Sequence, residues 1–460
     1  MCPSIQGRFR ADPRSSALPL PSEFGYILAI HCTCWYSPPI GAIQLALLAG
    51  ATLRRAKLKK EHHYLPRLYL RQFAVDPRRR LVAMYNVGRS LFRSAVSIRD
   101  QGSLPFMYGR DGTVEDALML LESETARAIA RMIRFRRAPR QYSLDHQALA
   151  AFVVAQRRRT PRAARELIDS ANLPLAIAYR DDPRYAGIGE DVLIAPETPP
   201  AVAVGWSLWL WPLLLDLTPR LLWTTRTPGF ITSDNPVIYY NQLLETRRPH
   251  LSNTGLLTRG LQVIVPISPN ATLMLYDQTA YRVGSRCRAT VLVTHQRDVD
   301  EINSLQAASA DLNLYFSSGV DVSYLRNLLE RSKPARDSYH VQASAYRGTS
   351  NRDEGMIHVR APEIRLALKL PFVKIRRAAD KDVDYTSVIA PRDRRTWDLA
   401  QAFGKLTQDG KAQQQDFYYF LAADGKMRRT PDSYRGHNDA SEGRSSNPRG
   451  ESSERKGRED

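Results

Sequence analysis

Imidazole, guanidinium and carboxylate groups recur in this chain at positions where an apolar residue would serve a core better. His62 and His63 stand just before Pro66. Adjacent residues point in different directions in any regular structure, so one imidazole can face a site while the other packs. A helix N-terminus disfavours the charged imidazole, leaving a neutral ring that can bind a metal or accept a proton; the plainer role is capping. Glu122 shares a helical stripe with Leu118, Thr125 and Ile129. An inward carboxylate there needs a cation, a metal or donors, because burying it bare costs several kcal/mol. Gln156 and Arg159 follow Phe152 on one helical face, and Arg159 sits where the helix must break before Pro161. An inward arginine at a helix end receives anions, or pairs with Glu122. Thr232-Ser233-Asp234-Asn235-Pro236 ends a short strand. Such a turn can present Asp234 to a cleft, although Asp and Asn also simply make turns. Asn303 lies inside an apolar helix and suits a bond to a neighbouring loop. His146, His250, His295, His340, His358 and His437 have no partner that sequence identifies.

The elements that position these groups follow from periodicity. Structured sequence begins at Lys59–Phe73, where Leu65, Tyr69 and Phe73 recur every four residues and Pro66 suits the first turn of a helix that His62 and His63 precede. Leu81–Tyr85 and Ser90–Ile98 predict a hairpin turning at Asn86-Val87-Gly88-Arg89. Thr113–Phe135 and Leu144–Arg159 predict long helices, Thr160-Pro161 starts another through Ile168, and Val202–Leu217 reads as a buried helix. Beyond Leu221 the period shortens: Leu221–Thr225, Phe230–Thr232, Leu261–Val265, Thr272–Tyr276 and Ala289–Thr294 predict strands. A helix over Val299–Asp311, a strand over Leu314–Ser317 and a short helix after Val322 close the pattern. Helices first and strands later give an α+β class, with an N-terminal helical half packed on an antiparallel or mixed sheet from the C-terminal half of the core.

The core is expected over residues 59–330. Residues 1–58 read as an ill-fitting leader or a start assigned too far upstream. Residues 331–429 are ambiguous and appended, and 430–460, rich in Ser, Arg, Gly and Glu, predict disorder.

The formal net charge is +19 over 460 residues, with 43% hydrophobic and 9% aromatic content. The apolar content suffices for a core, and the charge suits a polyanionic partner. The basic residues are mostly Arg, however, a bias that GC-rich coding also produces. Cys2, Cys32, Cys34 and Cys287 imply no disulfide framework, and Cys32-Thr33-Cys34 lacks the spacing of a zinc knuckle or redox pair. Tyr26–Ile30 and Ile40–Ala51 are apolar, but Ser37-Pro38-Pro39 separates them, and neither approaches the roughly 20 residues of a membrane span. Nucleotide-binding glycine loops, serine-hydrolase elbows and zinc-protease helices are absent from the sequence.

Together, His62-His63-Tyr64-Leu65-Pro66 with Tyr69-Leu70 and Phe73, Gln156-Arg157-Arg158-Arg159-Thr160-Pro161 and Phe230-Ile231-Thr232-Ser233-Asp234-Asn235-Pro236 resemble the bacterial "domain of unknown function 4238" family. Pro266-Ile267-Ser268-Pro269 and the Asn303 helix are similar to its later segments. The resemblance implies a bacterial origin and a cytoplasmic setting, and carries no reaction. It marks His62, His63, Gln156, Arg159, Thr232, Asp234 and Asn235 as a shared site.

Two functional expectations follow. In the first, His62, His63, Glu122 and Asp234 act catalytically while Gln156, Arg159, Thr232 and Asn235 bind substrate. His63, Glu122, Arg159 and Asp234 then share one cleft and hydrolyse a phosphodiester by metal-assisted or acid–base chemistry, a divalent metal being the cofactor that suits it. In the second, the same surface binds nucleic acid or another anionic ligand without turnover. A third arrangement makes all of these residues one buried network that fixes the fold.

Overall fold

The computed structural model describes residues 60–180, 193–245, 253–285, 287–347, 355–381, 391–412, 416–417 and 421. The expectations for residues 1–58 and 430–460, and for Cys2, Cys32 and Cys34, lie outside them.

The chain enters through a short strand, β1 (Glu61–His63), a single helical turn, α1 (Arg67–Leu70), and a 3-10 turn at Arg71–Phe73. The helix expected from Pro66 starts there, since the residue before a proline is kept out of helical conformation, but it holds α geometry for only one turn before tightening. His62 and His63 therefore lie on a strand. Strands β2 (Leu81–Asn86) and β3 (Leu91–Ser97) form the expected hairpin, and β4 (Ser103–Pro105) returns to pair antiparallel with β1.

Helix α2 (Thr113–Phe135) buries Leu118, Leu121, Thr125, Ala128, Ile129 and Met132, a stripe repeating every three to four residues. It ends at Arg136 in the left-handed conformation, φ 47°. Helix α3 (Leu144–Arg158) starts on the Ser143 cap and is buried without a break from Leu149 to Arg157, which makes it the central rod of the helical half. Helix α4 runs Pro161–Arg180, well past the Ile168 expected. Helix α5 spans only Pro199–Ser207 and gives way to a 3-10 turn at Trp211–Leu214, so Val202–Leu217 is not one helix. A proline at 212 has no backbone N–H to carry an α-helix through.

Strands β5 (Thr218–Trp223), β6 (Thr232–Ser233), β7 (Ile238–Tyr240), β8 (Gln262–Ser268), β9 (Ala271–Tyr276), β10 (Tyr281–Val283) and β11 (Thr290–Leu292) follow. The main sheet has the order β11-β5-β9-β8-β7; β11 pairs with β5 in parallel and the other pairs are antiparallel. Every residue of β8 and β9 is buried. Alternate residues face opposite ways: Val263, Val265 and Ile267 pack toward the helical half, whereas Ile264 and Met274 pack toward α6 (Gln296–Ser309). A second sheet, β3-β2-β12-β6, is completed by β12 (Asn313–Phe316). The fold is α+β with a mixed sheet, as the sequence predicts.

Helix α7 (Val322–Asp337), the hairpin β13 (Gln342–Arg347) with β14 (Gly355–Arg360), β15 (Val373–Ile375), α8 (Arg377–Lys381) and α9 (Arg394–Gln408) follow. Leu368, Leu370 and Val373 join the cluster around α6, while Phe403, Phe417 and Leu421 join the helical one. Among the described residues beyond 330, these side chains therefore pack into the two larger apolar clusters. Among the described residues no helix is long and apolar enough to cross a membrane.

Candidate functional site

The site is organised by the bend at His63–Leu65. The N–H groups of Tyr64 and Leu65 both donate to the Gly102 carbonyl, at 2.8 and 3.1 Å. Gly102 has φ 60°, and a Cβ there would meet the Leu65 Cβ at 2.5 Å, so only glycine lets the two segments close this tightly.

The bend turns two backbone carbonyls toward the end of α3. Gln156 Nε2 donates to the Tyr64 carbonyl at 2.9 Å. Arg159 Nε donates to the same oxygen at 3.1 Å and its Nη2 to the His63 carbonyl at 2.6 Å. Nη2 also donates to Glu122 Oε1 at 2.8 Å, where the arginine is 1% exposed and the carboxylate side chain 23%. Tyr108 OH donates to the Arg159 carbonyl at 3.0 Å. Two buried polar atoms in this cluster have no partner among the described residues, Arg159 Nη1 and Gln156 Oε1.

The histidines take different sides of β1. His62 stacks on Tyr108 with ring centroids 5.7 Å apart, and its Nδ1 accepts from the Tyr108 N–H at 3.2 Å. His63 faces Arg67, whose Nε donates to His63 Nε2 at 2.8 Å. A guanidinium only donates, so Nε2 is the bare nitrogen and Nδ1 carries the proton, directed at the Gln101 carbonyl 3.3 Å away. Burial, then the positive charges of Arg67 and Arg159, push the imidazole down to about 4. It is therefore neutral at pH 7, through burial and neighbouring arginines rather than the helix terminus expected from sequence.

Asp234 does not join this cluster. Its carboxylate accepts from the N–H groups of Asp311, Leu312 and Asn313 at 2.8, 2.7 and 2.9 Å. Burial nonetheless lifts its pKa to about 6. Tyr64 stands between the two arrangements: Arg159 and Gln156 hold its carbonyl, while its phenol feels the charges of Asp234 and Asp311. The four-residue cleft expected from sequence is thus a cluster of His63, Glu122 and Arg159, with the Asp234 carboxylate held instead by the backbone of residues 311–313.

Thr232 and Asn235 are fully buried and also face protein. Thr232 Oγ1 meets Tyr69 OH at 2.7 Å, and the Asn235 carbonyl accepts from Ser309 Oγ at 2.6 Å. Asn303 accepts from the Ile231 N–H and donates to the Gly229 carbonyl, both at 2.9 Å, which is the loop bond expected of it. Sequence reasoning missed Arg67, Gln101 and Tyr108. Of these only Arg67 left a signal, its position four residues after His63. Among the described residues no group of three His, Cys, Asp or Glu side chains could hold a metal ion.

The comparisons with known proteins agree with the motifs. A family model described as "Protein of unknown function (DUF4238)" matches residues 61–319. The chain belongs to this family. No curated protein and no solved structure matches it. The match begins at β1 and takes in every residue of the cluster, the Asp234 turn and the Asn303 helix of this DUF4238 protein.

Proposed function

We propose that the DUF4238 core binds an anionic ligand at the His63–Arg159 cluster and does not turn it over. The observation that carries this is the state of Arg159: a buried guanidinium with one carboxylate partner and an unused Nη1, beside Gln156 with an unused Oε1. An unpaired buried donor or acceptor costs about 1–3 kcal/mol, so a donor and an acceptor left over together suit a ligand or its bridging water. Charge points the same way. Of the carboxylates near Arg67 and Arg159, Glu122 alone pairs directly with Arg159, while Glu115 acts on it only through space and Asp100 is paired with Arg99 at 3.3 Å. General acid–base chemistry fits less well, because both nitrogens of His63 and both carboxylate oxygens of Asp234 are committed to protein partners.

The hydrolytic alternative has one observation in its favour, a partly exposed Glu122 carboxylate next to a neutral imidazole. Calorimetric titration of the full chain with inorganic phosphate at low salt separates the two. Binding that Arg67→Ala weakens at least tenfold and Glu122→Gln strengthens is expected, together with no cleavage of a fluorescent oligonucleotide above background. Cleavage that Glu122→Gln abolishes in a folded variant would establish the hydrolase instead, and absence of phosphate binding would remove the present reading.

A further inference from the structure

A second cationic feature lies elsewhere on the molecule. The C-terminal end of α2 and the edge strand β11 enclose an open pocket of about 450 Å³, lined by Phe135, Arg136, Arg137, Trp223, Cys287, Arg288, Ala289, Thr290 and Leu292. A helix rises about 1.5 Å per residue, so this pocket is some 20 Å along α2 from Glu122 and shares no residue with the His63–Arg159 cluster.

Three properties of the lining define what it would hold. The first is charge: Arg136, Arg137 and Arg288 line it, and no acidic side chain does. Planar guanidinium groups favour the oxygens of phosphate and carboxylate. The second is a spare donor. Trp223 is nine-tenths buried, and its indole N–H finds no acceptor among the described residues. A buried indole N–H ordinarily has one. The third is an apolar rim, in which Phe135 and Leu292 are 64% and 63% exposed.

The walls are also held in place. Arg136 lies 4.9 Å over the Trp223 ring, and its carbonyl accepts from Thr290 Oγ1 at 2.6 Å. Together these bonds fix the end of α2 to the sheet. The volume falls in the ordinary range of small-molecule sites, roughly 300–1,000 Å³. Inorganic anions would satisfy the arginines and leave the apolar rim in water. A flat apolar group carrying phosphates would use both.

We infer that this pocket is a second ligand site, selective for an organic phosphate with a flat apolar group, the nucleoside phosphate class. Phosphate oxygens meet Arg137 and Arg288, beside the buried Trp223 indole that holds Arg136, and the base lies against Phe135 and Leu292. The site stands independently of the anion reading at Arg159.

The test is calorimetric titration of full-length Arg67→Ala, in which anion binding at the first cluster is weakened, with ATP in the presence of a chelator, alongside pyrophosphate and adenosine. ATP is expected to bind at least tenfold more tightly than either fragment. Adding Arg137→Ser and Arg288→Ser to that chain, both positions exposed and outside the core, should weaken ATP at least tenfold with an unchanged melting curve, whereas the tight ATP site keeps its affinity whether or not Arg67 is present. A second readout uses the exposed Cys287. In a chain with Cys2, Cys32 and Cys34 replaced by serine, saturating ATP should slow its modification by N-ethylmaleimide several-fold. Absence of ATP binding at millimolar concentration, pyrophosphate as tight as ATP, indifference to Arg137→Ser with Arg288→Ser, or an unprotected Cys287 would each overturn the assignment.

Discussion

The Asp234 turn and the Arg159 cluster are built from the same materials and end in opposite states. Each centres on a buried charge, and each holds a distant backbone segment by two or more bonds. At Asp234 three N–H groups saturate the carboxylate. At Arg159 the guanidinium keeps Nη1 unused, and the neighbouring Gln156 keeps Oε1. The two charges thus differ in how completely the protein bonds them. An unbonded buried donor such as Nη1 is the one that calls for an explanation beyond the scaffold, although the Asp234 turn too keeps one unbonded atom, Asn235 Oδ1.

The largest expected effect comes from breaking the saturated side. Asp234→Ala removes the buried carboxylate that the N–H groups of Asp311, Leu312 and Asn313 share, and should cost about 4 kcal/mol in urea unfolding. Arg159→Met comes next. It strips the His63 carbonyl and Glu122 of their partner while Gln156 still holds Tyr64, so about 3 kcal/mol is expected, together with loss of phosphate binding. If Asp234→Ala folded normally and abolished phosphate binding while Arg159→Met left it intact, the two regions would have exchanged roles.

A third effect appears only in acid. His63 and His146 are held down to about 4, below the ordinary 6.5. The unfolded chain therefore takes up protons first, and stability falls as pH drops from 6.5 toward 4, by about 3 kcal/mol for each histidine. Asp234, raised to about 6, acts in the opposite sense: the folded state protonates first, and stability is lost as pH rises through about 6. His146→Asn keeps an acceptor for the Tyr142 N–H, which His146 Nδ1 takes at 3.0 Å. That variant should lose about 3 kcal/mol less than the parent between pH 7 and pH 4, measured by denaturant titration at each pH. An unchanged pH dependence would show that His146 titrates normally in the folded chain.

Much of this fold was legible. The apolar stripe of α2 set both of its ends, and the change of period after Leu221 marked the sheet. The pairing of Glu122 with Arg159 was legible as well, because an inward carboxylate and an inward arginine each need a partner. The role of Asp234 was not. Its donors lie at residues 311–313, and nothing in a turn sequence shows whether distant backbone will fold over it. Strand β1 was obscured because Leu65, Tyr69 and Phe73 carry a helical period across Pro66. The contributions of Leu368, Leu370 and Phe403 to the cores were hidden in a stretch with no clear period.

The burial of β8 and β9 on both faces has a consequence for how the molecule opens. Their amides lie at the centre of the main sheet, flanked by β7 and β5 and covered from either side. Local fraying cannot expose them, so their exchange with deuterated solvent proceeds only through global unfolding. The protection of Ile264 and Met274 then reads the whole-molecule free energy directly, without added denaturant.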